Sequence, residues 1–294
     1  MHRFEDRIRS GQFVVTTELT PPKGIDLSGL FAKADMLREH VDAINLTESP
    51  RARMAVEPKS VAHLLLDRGV EPIVQITARD RNRIAIQADL LGAALLGLRN
   101  FLCLSGDPPA NGDHPDAKPV FDLRAVDMIR AARELSQGRD LAGNALEGAP
   151  ELFVGAAAHP AAPDLATEVE HTKRKIDAGA KFLQTQALYD PEALRRFVDA
   201  LRPDGVALLV GIIPLKSARM AAWLNANVPG IRVPDALLQE LQSATDPEDE
   251  ARRGMEITAR IIREVRDLCS GVHIMAMGWE SRIPELLQAA GIRR

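Results

Sequence analysis

The sequence predicts an α/β fold, a closed (β/α)8 barrel with extra helices before the last strand. Three observations lead there. Short β-branched or apolar runs alternate with longer amphipathic ones eight times along the chain. The short runs are almost continuously apolar, as strands buried on both faces of a parallel sheet are. The length, 294 residues, suits one such barrel, so a single catalytic domain over residues 1–294 is expected. Strand–helix alternation implies right-handed crossover units, and eight of them close most economically into a barrel. A doubly wound open sheet is the alternative. No Gly-x-Gly-x-x-Gly follows any strand, so its usual dinucleotide-binding form has no support.

The first strand is expected over residues 12–19, an apolar run ending at Pro21-Pro22, with a helix over 27–40. Strand 43–47 precedes helix 60–68, and strand 72–78 precedes helix 83–96. Strand 100–105 leads through a long loop to helix 123–135. Strand 151–157 precedes helix 165–178, which shows its ends most clearly: Asp164 as N-cap, Glu168 in the first turn, and Gly179 where a left-handed cap belongs. Strand 182–188 precedes helix 191–201, and strand 206–213 precedes helix 217–225. Extra helices over 234–243 and 247–268 intervene before strand 272–277 and a last helix over 282–290. The 108–122 loop is long for a strand-to-helix connection and sits where barrels build active sites. The 137–150 insertion follows a helix, so it belongs to the opposite face and is expected to be structural.

Composition narrows the function. At 46% hydrophobic and 27% charged the chain is ordinary globular protein. A net charge of −4 offers no basic excess for a polyphosphate, so nucleic acid is not the expected ligand. The longest apolar runs, such as 206–215, fall short of the ~20 residues a membrane-spanning helix needs. The opening Met1-His2-Arg3-Phe4-Glu5-Asp6-Arg7 has no apolar core, so no signal peptide is expected and the cytoplasm is the default compartment. Cys103 and Cys269 are the only cysteines and form no Cys-x-x-Cys pair, so no metal or iron–sulfur site is expected. With one Tyr, two Trp and eight Phe, the core must be mostly aliphatic.

Polar residues at the C-terminal ends of the strands share one mouth. They are Glu18, then Thr47 and Glu48, then Gln75, Thr77 and Arg79. Ser105-Gly106-Asp107, His159, Gln184-Thr185-Gln186 and Lys216 continue the ring. Such convergence marks a small-molecule site rather than a flat interaction surface. Glu18, inside an apolar strand that stops at a rigid Pro-Pro, would be partly desolvated, which raises a carboxyl pKa and suits general-acid work. A glutamate that caps the strand end or pairs with an arginine would look the same. Asp107 follows a glycine that permits close backbone approach to a ligand, though a turn-forming Asp before Pro is the equal alternative. Arg51, Arg53, Arg79, Arg81 and Arg83 lie just after the second and third strands and read either as forks for phosphate oxygens or as solvated turns. His159 reads either as a site residue or as a satisfied core histidine.

At these residues the sequence resembles the methylenetetrahydrofolate reductase family along essentially the whole chain. Five segments carry the resemblance: Thr17-Glu18-Leu19-Thr20-Pro21-Pro22, Leu104-Ser105-Gly106-Asp107-Pro108-Pro109, residues 173–180 (Lys-Arg-Lys-Ile-Asp-Ala-Gly-Ala), Gln184-Thr185-Gln186 and Gly211-Ile212-Ile213-Pro214. The stretches 77–84, 155–163 and 273–279 are similar to the short bacterial branch found in acetogens and in homocysteine methyltransferase fusions. The resemblance implies FAD at the C-terminal mouth, a folate and NAD(P)H stacking on it in turn, and reduction of 5,10-methylenetetrahydrofolate to 5-methyltetrahydrofolate or the reverse. It implies Glu18 as the general acid that opens the folate's five-membered ring to an iminium, and Asp107 as the carboxylate that orients the folate and tunes flavin charge. Gln186 matches the glutamine that hydrogen-bonds the pterin. Thr47, Gly106, His171, Arg174 and Lys175 match FAD contacts.

The family pattern is departed from in places. Its Arg-Gly-Asp is Ser105-Gly106-Asp107 here; a histidine after the third strand is Gln75; a tyrosine in the fourth loop is Phe121; another tyrosine aligns with His159. The folate-stacking aromatic of some members aligns with Leu224, beside Trp223. A homo-oligomer is expected. Two other functions stay open: a catalytic subunit fed by an electron-transfer partner, and a non-redox folate-binding or lyase barrel, for which Lys181 and Lys216 are the lysines to watch.

Overall fold

The computed structural model describes residues 4–228 and 230–292. Eight parallel strands close a barrel in chain order, the first pairing with the eighth through Val14↔Gly271 to Thr17↔Ile274. The strands are β1 (Val14–Leu19), β2 (Ala43–Leu46), β3 (Pro72–Thr77), β4 (Asn100–Leu104), β5 (Phe153–Ala158), β6 (Phe182–Ala187), β7 (Ala207–Ile212) and β8 (Gly271–Ile274). The expected α/β barrel is the observed fold.

A helix absent from the sequence reading comes first, α1 (Phe4–Arg9). Its Phe4 closes the N-terminal end of the barrel, edge-on to Phe153 at 5.8 Å and to Phe182 at 5.1 Å, while those two rings stack at 5.7 Å. Room for the Phe182 ring is made by Gly155, where a Cβ would overlap it. This aromatic plug joins Val14, Ala43, Ile73 and Leu209 in a floor separate from the larger core between strands and helices.

The outer helices are α2 (Ser28–Leu37), α3 (Pro58–Asp67), α4 (Arg83–Leu95), α5 (Ala125–Ser136), α6 (Leu165–Ala178), α7 (Pro191–Leu201), α8 (Ala218–Asn227), α9 (Asp235–Gln242), α10 (Pro247–Val265) and α11 (Ile283–Ala289). The Asp164 side chain caps α6 by accepting from the Thr167 N–H at 3.0 Å, and Gly179 ends it with φ +124°. The extra helices α9 and α10 precede β8 as expected, and α10 packs on α9, α11 and β7. Strand β8 stops at Ile274, three residues earlier than expected, because the chain turns away through Met277 at φ 49°. The 137–150 insertion lies against α4, where the Leu141 N–H donates to Gln87 Oε1 at 2.7 Å. Among the described residues no helix is long and apolar enough to cross a membrane.

Candidate active site

Within β1 the side chains of Thr16 and Glu18 share one face, two residues apart. Thr16 belongs to a buried polar chain across the barrel. The Asn45 amide donates to Gln184 Oε1 at 2.7 Å, and Gln184 Nε2 donates back to Asn45 Oδ1 at 3.2 Å and on to Thr16 Oγ1 at 3.4 Å. The Thr16 hydroxyl also stands 2.9 Å from His273 Nδ1 and 3.5 Å from the Val272 carbonyl. The other ring nitrogen, His273 Nε2, faces Glu18 Oε2 at 3.5 Å, so the tautomer with its proton on Nε2 points that N–H at the acid. Thr16, Asn45, Gln184 and His273 are at most 4% exposed, whereas the Glu18 side chain is 26% exposed. One acid at the tip of β1 thus stands against a buried hydrogen-bonded chain and is open in front.

Glu18 borders two adjoining cavities. One, of about 440 Å³, also has Gln75, Thr77, Asp107, His159, Lys175 and Gln186 in its wall, together with Ser105 and Gly106. The other, of about 690 Å³, is walled by Leu30, Lys33, Arg51, Ile213, Met275 and Met277. Glu18 and Asp107 therefore face the same cavity. Gly106, at φ +87°, holds a conformation that other residues rarely adopt, and a Cβ there would crowd its neighbours at 3.0 Å from Arg79 Cβ and 3.1 Å from Thr77 Cβ. Asp107 Oδ2 accepts from the Arg51 N–H at 2.8 Å, clasping the loop after β2, where Ser49, Arg51 and Ala52 all have positive φ. A second clasp is the Met54 N–H on Asp113 Oδ1 at 3.0 Å.

On the far wall, burial and the nearby Lys175 charge hold the His159 pKa below its ordinary value, against an opposing pull from Glu168. Burial likewise lowers the pKa of Lys175, whose Nζ donates to the Ala157 carbonyl at 2.8 Å. Glu168, buried in α6, accepts from the His159 N–H at 2.9 Å and the Thr172 hydroxyl at 3.1 Å. Thr77 Oγ1 has no hydrogen-bond partner although it is buried in the cavity wall. It stands ready for a polar atom of a ligand.

Other residues singled out from sequence stand elsewhere. Leu224 lies in the core at 1% exposure on the inner face of α8 with Ala221, so it is a packing residue and lines neither cavity. Its neighbour Trp223 is 39% exposed and carries the Arg51 guanidinium 5.3 Å from its ring centre. Phe121, 39% exposed at φ 44°, lies outside both cavity walls. His171 and Arg174 are exposed on α6, Arg174 paired with Glu170 at 3.2 Å, and only Lys175 of that cluster reaches the cavity. Thr47 is buried, its hydroxyl donating to Thr20 Oγ1 at 3.0 Å. The arginine forks after β3 are claimed by the chain's own carboxylates. Arg79 holds Asp80, Arg81 holds Glu48, and Arg83 holds Asp122. Sequence reasoning passed over Thr16, Asn45 and His273, although each is a polar residue inside an apolar strand.

The chain matches the methylenetetrahydrofolate reductase family over residues 3–291. Methylenetetrahydrofolate reductase 2 of Schizosaccharomyces pombe is 26% identical, aligned over 98% of this chain and 47% of its own length. A probable methylenetetrahydrofolate reductase (NADPH) of Caenorhabditis elegans is 28% identical over 79% of this chain and 34% of its own. A 5,10-methylenetetrahydrofolate reductase of Pectobacterium carotovorum is 25% identical over 86% of this chain and 81% of its own. The chain thus spans half or less of the two eukaryotic relatives and most of the bacterial one. An EDTA monooxygenase from Chelativorans superposes with a TM-score of 0.58 at 13% identity, covering 96% of this chain and 95% of that one. A 2,3-dimethylmalate lyase does so with 0.53 at 12% identity, covering 98% and 85%. These two share the barrel and differ in chemistry, so they speak for the fold alone. A family match over almost every residue, on a barrel whose strand-end acids share one cavity, decides the matter: the chain belongs to the methylenetetrahydrofolate reductase family.

Proposed function

We propose that this chain reduces 5,10-methylenetetrahydrofolate to 5-methyltetrahydrofolate, or runs the reverse oxidation, with FAD at the barrel mouth and NAD(P)H as the other substrate. The observation that carries the reading is the pair of acids, Glu18 and Asp107, on one cavity whose back wall is a dry hydrogen-bonded chain. The family's relatives are named for this reaction, and the names of some include NADH or NADPH.

The residues present fit a flavin. The orphaned Thr77 hydroxyl, the amides of Gln75 and Gln186 and the ammonium of Lys175 supply donors and acceptors around the cavity. Gly106 gives the wall a stretch of bare backbone. When bound, FAD supplies hydride acceptance and donation. The protein supplies placement, a proton and charge.

Glu18 gives its proton to the ring nitrogen of the folate, so that the five-membered ring opens and its one-carbon unit can take up hydride. His273, itself oriented by Thr16, aims the carboxyl toward the open side of the mouth. Asp107 holds the pterin edge by accepting from its N–H groups, and Gln186 completes that recognition from the end of β6. The adjoining cavity, with its Leu30, Ile213 and Met275 walls and its Lys33 and Arg51 cations, takes the rest of a flat, anionic substrate. The test is the absorption spectrum of the untagged protein as purified. A flavin band bleached by NAD(P)H and restored by methylenetetrahydrofolate supports the reading. A colourless protein that binds folate but no flavin would favour the non-redox alternative.

A further inference from the structure

Lys216 stands at the mouth, just past the Pro214 that follows β7, and the chemistry described so far makes no use of it. Its ammonium is engaged within the chain. The Nζ donates to the Met277 carbonyl in the loop after β8. It lies 5.6 Å from the centre of the Trp279 ring, and a Cβ on Gly278 would stand 3.5 Å from it. Met277, Gly278 and Trp279 thus all meet one side chain from the neighbouring loop. Burial lowers the Lys216 pKa against an opposing pull from Glu280, as expected of an ammonium set against protein.

The β8 loop needs holding. Met277 has φ 49° and Gly278 φ +94°, two left-handed residues in succession. That conformation is ordinary for glycine and costly for methionine, so it persists only where neighbours impose it. Further along, Glu280 is tied to Lys33 on α2 at 3.1 Å, and the Arg282 guanidinium lies 4.9 Å from the Trp279 ring centre. What these ties shape is the site. Met275, Met277, Gly278 and Glu280 form the β8 side of the larger cavity, beside Glu18. Of these four, only Met275 also borders the smaller cavity, where Thr77, Asp107 and Lys175 stand.

We propose that Lys216 is a positioning residue for the folate: by holding Met277 in its left-handed turn it keeps the β8 side of the larger cavity in place, and so sets how tightly the substrate binds without touching it. The inference rests on the proposed function, in which the larger cavity takes the part of the substrate that extends beyond the flavin. An ammonium on a carbonyl is a charge-assisted hydrogen bond, stronger than a neutral one. Without it Met277 is free to return to the right-handed region, and its side chain leaves the wall. The flavin half of the site, built mainly from β3 to β6, keeps its shape.

The FAD-loaded protein, reduced with dithionite and mixed rapidly with methylenetetrahydrofolate, reads the two halves apart. In Lys216→Met the concentration for half-maximal reoxidation rate is expected to rise about tenfold, as for the loss of one charge-assisted hydrogen bond, while the saturating rate stays within about threefold and the FAD content matches wild type. Lys216→Arg keeps a cation over Trp279 and is expected to stay within about threefold of wild type throughout. Glycine adopts the left-handed turn freely, so in a Met277→Gly background the loss of Lys216 is expected to raise the half-maximal concentration by less than about threefold. An unchanged half-maximal concentration in Lys216→Met overturns the proposal. So does a parallel loss of FAD, which marks collapse of the whole mouth, or an equal effect in the Met277→Gly background. A wild type that methylenetetrahydrofolate does not reoxidise overturns the proposed function and this inference together.

Discussion

Asn45 and Gln184 each spend both ends of an amide on the other, at 2.7 and 3.2 Å, in sites 0% and 3% exposed. Asn45→Leu keeps the volume and strands the Gln184 oxygen and one of its N–H bonds. Each stranded buried group costs ~1–3 kcal/mol, so a loss of about 2–6 kcal/mol is expected. Gln184→Met strands the Asn45 amide in the same way and costs a similar amount, toward the lower end because Gln184 touches the mouth cavity and water can replace it. The double variant Asn45→Leu/Gln184→Met removes both partners together and leaves no orphan between them. It should therefore be more stable than the sum of the single losses by at least ~2 kcal/mol. Urea denaturation followed by far-ultraviolet circular dichroism measures all four corners of the cycle. If the two single losses simply add, the amide pair is not the closed unit described and the reasoning fails.

Phe4→Ala opens a cavity in the barrel floor and should cost ~3–5 kcal/mol, read as a lower denaturation midpoint, while ligand binding at the opposite mouth is spared. A loss below 1 kcal/mol would mean that α1 does not plug the barrel. His159 supplies a pH dependence. Its folded-state pKa lies below the unfolded value of about 6.5, so as pH falls through that value the unfolded chain takes up the proton first and stability is lost, until the folded imidazole also protonates. Above that window the group contributes no slope. His159→Gln should flatten the fall in melting temperature as the pH drops below about 6.5 relative to wild type, and an unchanged slope would remove the burial argument.

Much of this was legible in the sequence where local chemistry decides. Helices α6 and α7 run over the residues expected of them, because Asp164, Gly179, Asp190 and Pro191 mark their ends without help from the rest of the fold. Strand ends were legible as polar residues closing apolar runs, which is how Glu18, Asp107 and Gln186 came to be grouped, and all three line one cavity. Long-range choices were not. Helix α1 is six residues long, too short to show a period, and only the distant Phe153 and Phe182 make Phe4 a core residue. Nothing local tells which carboxylate takes which arginine, so the pairing of Arg81 with Glu48 is visible only in the fold. Leu224 is buried while its neighbour Trp223 is 39% exposed, because one residue is about 100° around α8, and alignment to an aromatic cannot tell the two apart.

Glu18→Gln separates the two half-reactions and bears on the mechanism more directly than any other change. The variant should keep the mouth intact, since Gln fills the same volume and can still accept from His273 Nε2. In rapid mixing, flavin reduction by NAD(P)H should stay within a few-fold of wild type, while reoxidation by methylenetetrahydrofolate should slow by ~10²–10⁴. Equal loss of both steps, or a reoxidation rate like that of wild type, would contradict the role given to Glu18.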